Sequence, residues 1–324
     1  MAYGLTRLLR IEDDWTNLIT YLAERDPEPL RRELDLVQGP LRVHREQCVP
    51  EGREDAVVRI AGEPVALLEV KLTASAHGGQ FDAYEAWAES VGLPVARRYV
   101  VGPNTDPIPG EPPTWSRVHT IPSLLDAWAE RSDDALARLL AVEAVAEFRA
   151  LDTEASGPAD CVKNRVSDGL RIRRLYALTY PQAPSGIEFS REKSDSGTNN
   201  FAAWRAVGSR YVTAEIQRTG KRGNIDSPWA LRLMVGTGDG ERTASEALAA
   251  KHERWLTTRA FIEHVGHEVA ALVAEPDGDG FKHGRRGRGS ERYYGNAGVG
   301  QGSQILLNDS INLAGMGNVA IAAL

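Results

Sequence analysis

Residues 66–71 read Ala66-Leu67-Leu68-Glu69-Val70-Lys71, an apolar run that closes on a carboxylate and an ammonium with one residue between them. An extended chain sends successive side chains to opposite faces, so Glu69 and Lys71 share one face and Val70 takes the other. In a strand that simply reaches the surface, such a pair is a solvated end that contributes little. The flanking sequence makes that plain reading insufficient.

Upstream, LRVHREQCV (41–49) and REDAVVRI (53–60) alternate polar and apolar residues like half-buried strands, and AGEP supplies a turn before VALLEVK (65–71). The three segments predict an antiparallel meander. Helical spacing of Trp15, Leu18, Ile19 and Leu22 precedes them over roughly 14–36, interrupted at Pro27 and Pro29. QFDAYEAWAESVG (80–92) is helical in pattern and stops at Gly92 with Pro94 beyond, and VARRYVVG (95–102) returns as a strand. A hairpin turning near 61–64 carries Asp55 and Glu69 toward the same end, away from the turn. Two carboxylates and one lysine then converge. Carboxylates brought together repel unless a cation neutralises them, and a hard divalent ion such as Mg²⁺ or Mn²⁺ takes one or two carboxylates plus waters and substrate oxygens. The chemistry this suits is phosphodiester hydrolysis.

Asp55, then Glu69-Val70-Lys71, then Gln80 and Tyr84 on the next helix, in the order helix, three strands, helix, strand, resembles the PD-(D/E)XK nuclease superfamily, the restriction-endonuclease-like fold. The likeness covers roughly residues 1–150, the N-terminal half only. It implies that Asp55 and Glu69 hold the metal with the Val70 carbonyl as a third ligand, and that Lys71 orients or activates the water. Gln80 and Tyr84, one helical turn apart, match a Q-x-x-x-Y element of superfamily members that act at DNA ends or on repair substrates. By that likeness Gln80 positions near the phosphate and Tyr84 supports it. The resemblance further implies a DNA-directed role in restriction, antiphage defence or repair. The sequence departs from the pattern at Glu54, where the motif has proline. Some members add an acidic residue from the first helix; Glu12 is the candidate, with Asp13, Asp14 and Glu24 competing.

The chain has 324 residues and a net charge of −7, ordinary for a globular protein of two domains. Charge is unevenly spread. Residues 1–159 hold 16 basic against 27 acidic residues, a balance of −11, whereas 160–324 hold 22 against 18, a balance of +4. TEASGPAD (153–160) breaks the pattern between them, so a catalytic domain over 1–152 and a second domain over 160–324 are expected. The fold class expected is α/β with an αβββαβ core, followed by a mixed α+β C-terminal domain.

Finer expectations follow the same rules. WSRVHTI is a candidate short strand after a Pro-rich loop at 102–114, and 123–151 a long helix capped by Ser123. Strands are expected at 173–180, 187–190, 210–217 and 230–235, with a helix at 243–273. The Gly-rich basic stretch 276–304 reads as a long loop or partly disordered segment.

Within that stretch KHGRRGRGSERYY (282–294) spaces cations with glycines and ends in two tyrosines, a composition able to follow a phosphate backbone and stack on bases. Arg285, Arg286 and Arg288, with Arg218, Lys221 and Arg222, are the candidate nucleic-acid contacts, and Arg171, Arg173 and Arg174 add charge to the same half. Nucleic acid, DNA by the resemblance, is the expected partner. The apolar segment 304–324, interrupted by Asn and Gly, is expected to dock in a core or on a partner, and the C-terminal domain is the candidate contact for a second copy or a partner protein. The competing class is a catalytically silent nuclease-like module that holds DNA or a partner.

Other motifs carry less. GTGDGE (236–241) puts Glu241 where the third glycine of a dinucleotide loop belongs, so a turn is preferred. His264 and His267 have metal spacing without a third ligand, and neither a Gly-x-Ser-x-Gly elbow nor a P-loop occurs. Cys48 and Cys161 stand far apart in no metal spacing. No apolar run reaches membrane-spanning length and the N-terminus lacks a signal-peptide pattern, so a cytoplasmic location is expected.

Overall fold

The computed structural model describes residues 5, 8–49, 52–73, 80–105, 115, 119–162, 165–183, 185–193, 199–207, 210–218, 225–237, 282–283, 292–293, 299–307 and 311–322. It is a mixed α/β structure with two sheets, and the chain divides into two compact units, 1–153 and 154–324. Among the described residues no helix is long and apolar enough to cross a membrane.

The first unit opens with α1 (Glu12–Arg25) and α2 (Glu28–Glu33). Asp14 starts α1 by accepting from the backbone N–H groups of Arg10 and Ile11 at 2.7 and 3.0 Å, which satisfies donors that a helix start leaves exposed. Strands β1 (Leu41–Val49), β2 (Gly52–Ile60) and β3 (Glu63–Val70) form the expected meander, helix α3 (Gln80–Ser90) crosses over, and β4 (Arg98–Val101) returns parallel to β3. Sheet order is β1-β2-β3-β4. A parallel return needs such a crossover, because a tight turn can join only antiparallel neighbours.

One face of this sheet offers Val57, Leu67 and Val100 to Phe81, Tyr84, Trp87 and Ala88 of α3, with Leu93 and Trp115 closing the cluster. The alternate residues Ala56, Val58, Ala66, Leu68 and Val70 are buried as well. Both faces are covered, which is why the sequence of β3 reads as a continuous apolar run.

The β2–β3 hairpin turns on Ala61 and Gly62, both at positive φ (52° and 95°), the backbone that a two-residue turn requires and that glycine adopts at least cost. From this turn Ile60 pairs with Glu63 and Arg59 with Pro64, but Val58 then pairs with Ala66. Val65 has been passed over. Such a bulge shifts the register by one residue, and a one-residue shift exchanges the faces of everything beyond it.

Two helices replace the single one expected over 123–151: α4 (Ile121–Arg131) and α5 (Ala135–Ser156). The break at Ser132 and Asp133 is held by Asp26, whose carboxylate accepts from Ser132 Oγ at 2.7 Å and Asp133 N at 2.9 Å. Thr120, rather than Ser123, caps α4, and Ser123 returns a bond to the Thr120 N–H. Of the expected strand at 115–121, residues 116–118 lie outside the described residues; the described ones show a bridge between Gly102 and Thr120, and α4 begins at Ile121.

In the second unit, α6 (Arg165–Thr179) occupies the segment expected as a strand at 173–180. It is buried nearly all round, including Leu170, Ile172, Arg171 and Arg173, so its sequence shows no apolar stripe by which a helix could be recognised. Strands β5 (Glu188–Lys193), β7 (Arg210–Arg218) and β8 (Trp229–Thr237) fall where strands were expected, and β6 (Asn199–Val207) adds another. Within 276–304, β9 (Lys282–His283), β10 (Arg292–Tyr293) and the start of β11 (Val299–Leu306) are strands rather than loop, β9 and β10 pairing with successive stretches of β11. The sheet runs β10-β11-β8-β7-β6-β5 with β9 beside β11. Helix α7 (Leu313–Ala322) and α6 cover one face, where Ile172, Leu175, Met316 and Val319 meet Phe201, Ile216, Trp229 and Leu231. The expected helix at 243–273, with His264 and His267, lies outside the described residues.

Candidate active site

Strands β3 and β4 end together, with the Lys71 N–H donating to Val101 O at 3.0 Å. Ligand sites of sheets with parallel strands form at such carboxyl ends. Glu69 and Lys71 stand here on the face covered by α3, only 0 % and 4 % exposed. The pair is therefore no solvated strand end. Lys71 Nζ lies 2.6 Å from Glu69 Oε1.

Gln80, the first residue of α3, ties the pair to the helix. Its Nε2 donates to Glu69 Oε1 at 2.9 Å and to the Tyr84 hydroxyl oxygen at 2.6 Å, while its Oε1 accepts from Lys71 Nζ at 3.2 Å. One amide thus reads both charges, donor toward the carboxylate and acceptor toward the ammonium, with the helical spacing of Gln80 and Tyr84 supplying the backing. Tyr84 is in turn packed by Phe81 and Trp115, with ring centroids 6.3 Å away in each case. Trp115 Nε1 donates to Glu85 Oε1 at 3.2 Å. Nothing in the local sequence around Trp115 signals this bracing role.

Asp55 is described in its backbone only. Ala56 pairs with Leu68, so the register continued by one residue sets position 55 across from position 69, on one face of the sheet. The bulge at Val65 produces this match. Counted straight from the Ala61-Gly62 turn, position 55 falls opposite Leu68 and onto the other face. Pro64 was the available signal, since proline within a strand marks an edge or a bulge.

The four first-helix acids stand in different surroundings. Asp14 caps α1, Asp13 pairs with Arg45 at 3.3 Å, and Glu24 is exposed. Glu12 alone of the four reaches the end of β3, where its Oε1 accepts from Leu72 N at 2.7 Å and Thr73 N at 3.0 Å.

Glu69, the Val70 carbonyl and the Asp55 position offer oxygen donors alone, the set that a hard divalent cation takes and zinc or copper does not favour. Among the described residues there is no group of three or more His, Cys, Asp and Glu able to hold a metal ion.

The second unit corrects one expectation outright. Arg218 is buried rather than offered to a phosphate backbone: its Nε donates to Asp168 Oδ1 at 2.6 Å, Nη1 to Ser227 O at 2.7 Å and Nη2 to Val162 O at 2.8 Å, and its guanidinium lies over the Trp229 ring. Arg171 and Arg173 are fully buried too. Arg171 donates to the carbonyls of Ala155 and Gly157 and, at 2.9 Å, of Ile311. Burial, helped by the like charge of Arg218, pushes its guanidinium down to about 10. Arg171, whose Nε also donates to Met316 Sδ, holds the start of the unit to its last helix. Lys221, Arg222, Arg285, Arg286 and Arg288 lie outside the described residues.

Comparison with protein-family models, curated proteins and solved structures returns no match to this chain.

Proposed function

We propose that residues 1–153 are a metal-dependent nuclease of the PD-(D/E)XK, restriction-endonuclease-like type, hydrolysing phosphodiester bonds of DNA. The observation that carries this reading is the buried Glu69–Lys71 pair at the carboxyl end of β3, addressed by one amide from Gln80. A carboxylate and an ammonium withdrawn from water are costly, and apolar residues of similar volume serve a fold as well or better. Their retention at the end of a strand argues for a chemical role. The element order and the Asp55–Glu69 register add to it.

Glu69 and Asp55, with the Val70 carbonyl, would hold Mg²⁺ or Mn²⁺. A bound divalent cation supplies polarisation of the phosphate and a lowered pKa for a coordinated water. Lys71 holds a positive charge where the pentacovalent phosphorus gathers negative charge, and its fixed aim means no reorganisation is needed when that charge appears. Gln80 keeps Lys71 and Glu69 in register with each other, and Tyr84 keeps Gln80 in place. The second unit, basic where the first is acidic, is the candidate for gathering the nucleic acid, through the 282–294 stretch.

Incubating the full chain with linear duplex DNA and Mg²⁺ tests the proposal. Cleavage that stops when the metal is chelated supports it; a metal-independent product, or intact DNA across metals and substrates, contradicts it.

A further inference from the structure

The bonds from Glu12 to Leu72 and Thr73 join the first turn of α1 to the two residues that directly follow Lys71. Both residues lie just past β3, which ends at Val70. Beyond them, 74–79 fall outside the described residues, and the chain reappears at Gln80 at the head of α3. Glu12 Oε1, sixty residues earlier in the chain, thus accepts from both amides that follow Lys71.

We infer that Glu12 is a positioning residue of the site, which sets the direction of the Lys71 ammonium by clamping the backbone N–H groups of Leu72 and Thr73. Lys71 lies between two restraints: its own N–H bonded to Val101 O on one side and the clamped amides on the other. With both in place, the side chain is held at 2.6 Å from Glu69 Oε1 and 3.2 Å from Gln80 Oε1. Releasing the clamp removes both of these bonds from the peptide planes after Lys71, and displacements of about 1 Å at a catalytic group are enough to cost about 100-fold in rate. An acceptor oxygen is what the role demands, and a net charge is not. That distinguishes a clamp from a metal ligand, which glutamine replaces poorly.

The inference rests on the nuclease reading for its kinetic part only. Wild type, Glu12→Ala, Glu12→Gln and Glu12→Asp are compared by hydrogen exchange at the Leu72 and Thr73 amides, the ¹⁵N resonance of Lys71 Nζ, Mn²⁺ affinity, and cleavage kinetics, with circular dichroism melting to establish that each is folded. Expected for Glu12→Ala are exchange at the two amides faster by about 10-fold or more, a moved Lys71 resonance, unchanged Mn²⁺ affinity, and kcat lower by about 100-fold with KM within about 3-fold. Glu12→Gln keeps the acceptor and stays near wild type in all four. Glu12→Asp, shorter by one methylene, falls between and serves if the alanine variant does not fold. Unchanged exchange in Glu12→Ala, or Glu12→Gln falling as far as Glu12→Ala, overturns the clamp. A wild-type chain that cleaves nothing sinks the nuclease reading instead, and the exchange and Lys71 signals still decide the clamp.

Discussion

Lys71 Nζ stands 2.6 Å from Glu69 Oε1 with both side chains almost wholly out of water. Neither charge is tolerable there alone. Removing one partner of a buried pair leaves the other uncompensated, at a cost of about 3–5 kcal/mol, whereas removing both costs much less. Lys71→Met and Glu69→Gln should each lower unfolding free energy in urea titrations by about that amount, and the double variant by less than the sum of the two. Additive losses would mean that the two charges are satisfied independently.

Gln80 donates from one nitrogen to both Glu69 and Tyr84. Tyr84→Phe removes only the outer acceptor and is expected to lower kcat by about 3–10-fold; Gln80→Ala removes the link between the two charges and is expected to lower it by about 100-fold, with KM little changed in both. The reverse order of severity would place the critical contact at Tyr84.

Val65 is the residue that pairing skips between Pro64 and Ala66. Deleting it regularises the hairpin while keeping position 55 across from position 69, so a folded chain that still cleaves is expected. Deleting Val57 instead slips position 55 onto the other face and abolishes cleavage. Crystal structures or cleavage rates of the two deletions check this, and loss of activity in both would show that the bulge itself matters beyond its register.

His119 is buried beside Glu33 at 3.3 Å and against the Tyr99 ring, and Arg131 pairs with the same Glu33. Desolvation, outweighing the pull of Glu33, pushes its imidazole below the usual range. A folded value below the unfolded one means that the unfolded chain binds the proton more readily. Stability contributed by neutral His119 is therefore present above about pH 6.5 and is lost as pH falls through that value toward the folded one. Melting temperatures between pH 8 and 5 should fall more steeply for wild type than for His119→Gln. Parallel curves would assign the acid sensitivity elsewhere.

Arg218 sits in the interior against Asp168 and Trp229. Arg218→Met should destabilise the second unit by about 3–5 kcal/mol and leave the salt dependence of DNA binding unaltered. A shallower salt slope, by about one unit, is the mark of a lost phosphate contact and would contradict the burial.

Much of the first sheet was legible because its signals are local. Alternation gave β1 and β2, a Gly-containing turn gave the hairpin, and Gly92 with Pro94 marked the end of α3. The pair Glu69 and Lys71 was visible by the pleat alone. What escaped depends on contacts distant in sequence. The break at Ser132 exists because Asp26 reaches it from 106 residues away, and the bond that Glu12 makes to Leu72 joins residues 60 apart in sequence. Arg218 reads as a surface cation in any one-dimensional view; only Asp168, Val162 and Ser227, brought together by folding, make it an interior residue. Helix α6 defeats periodicity for the same reason, being buried nearly all round.

The most direct measurement is cleavage of a panel of linear, circular, single-stranded and RNA substrates with Mg²⁺ or Mn²⁺, comparing wild type with Glu69→Ala and Lys71→Ala. Metal-dependent cutting of DNA by wild type, absent from both folded variants, is the expected result. Cutting that survives in either variant, or a wild-type chain that binds DNA in a shift assay yet leaves every substrate intact, would contradict the assignment of Glu69 and Lys71 as the centre of a nuclease.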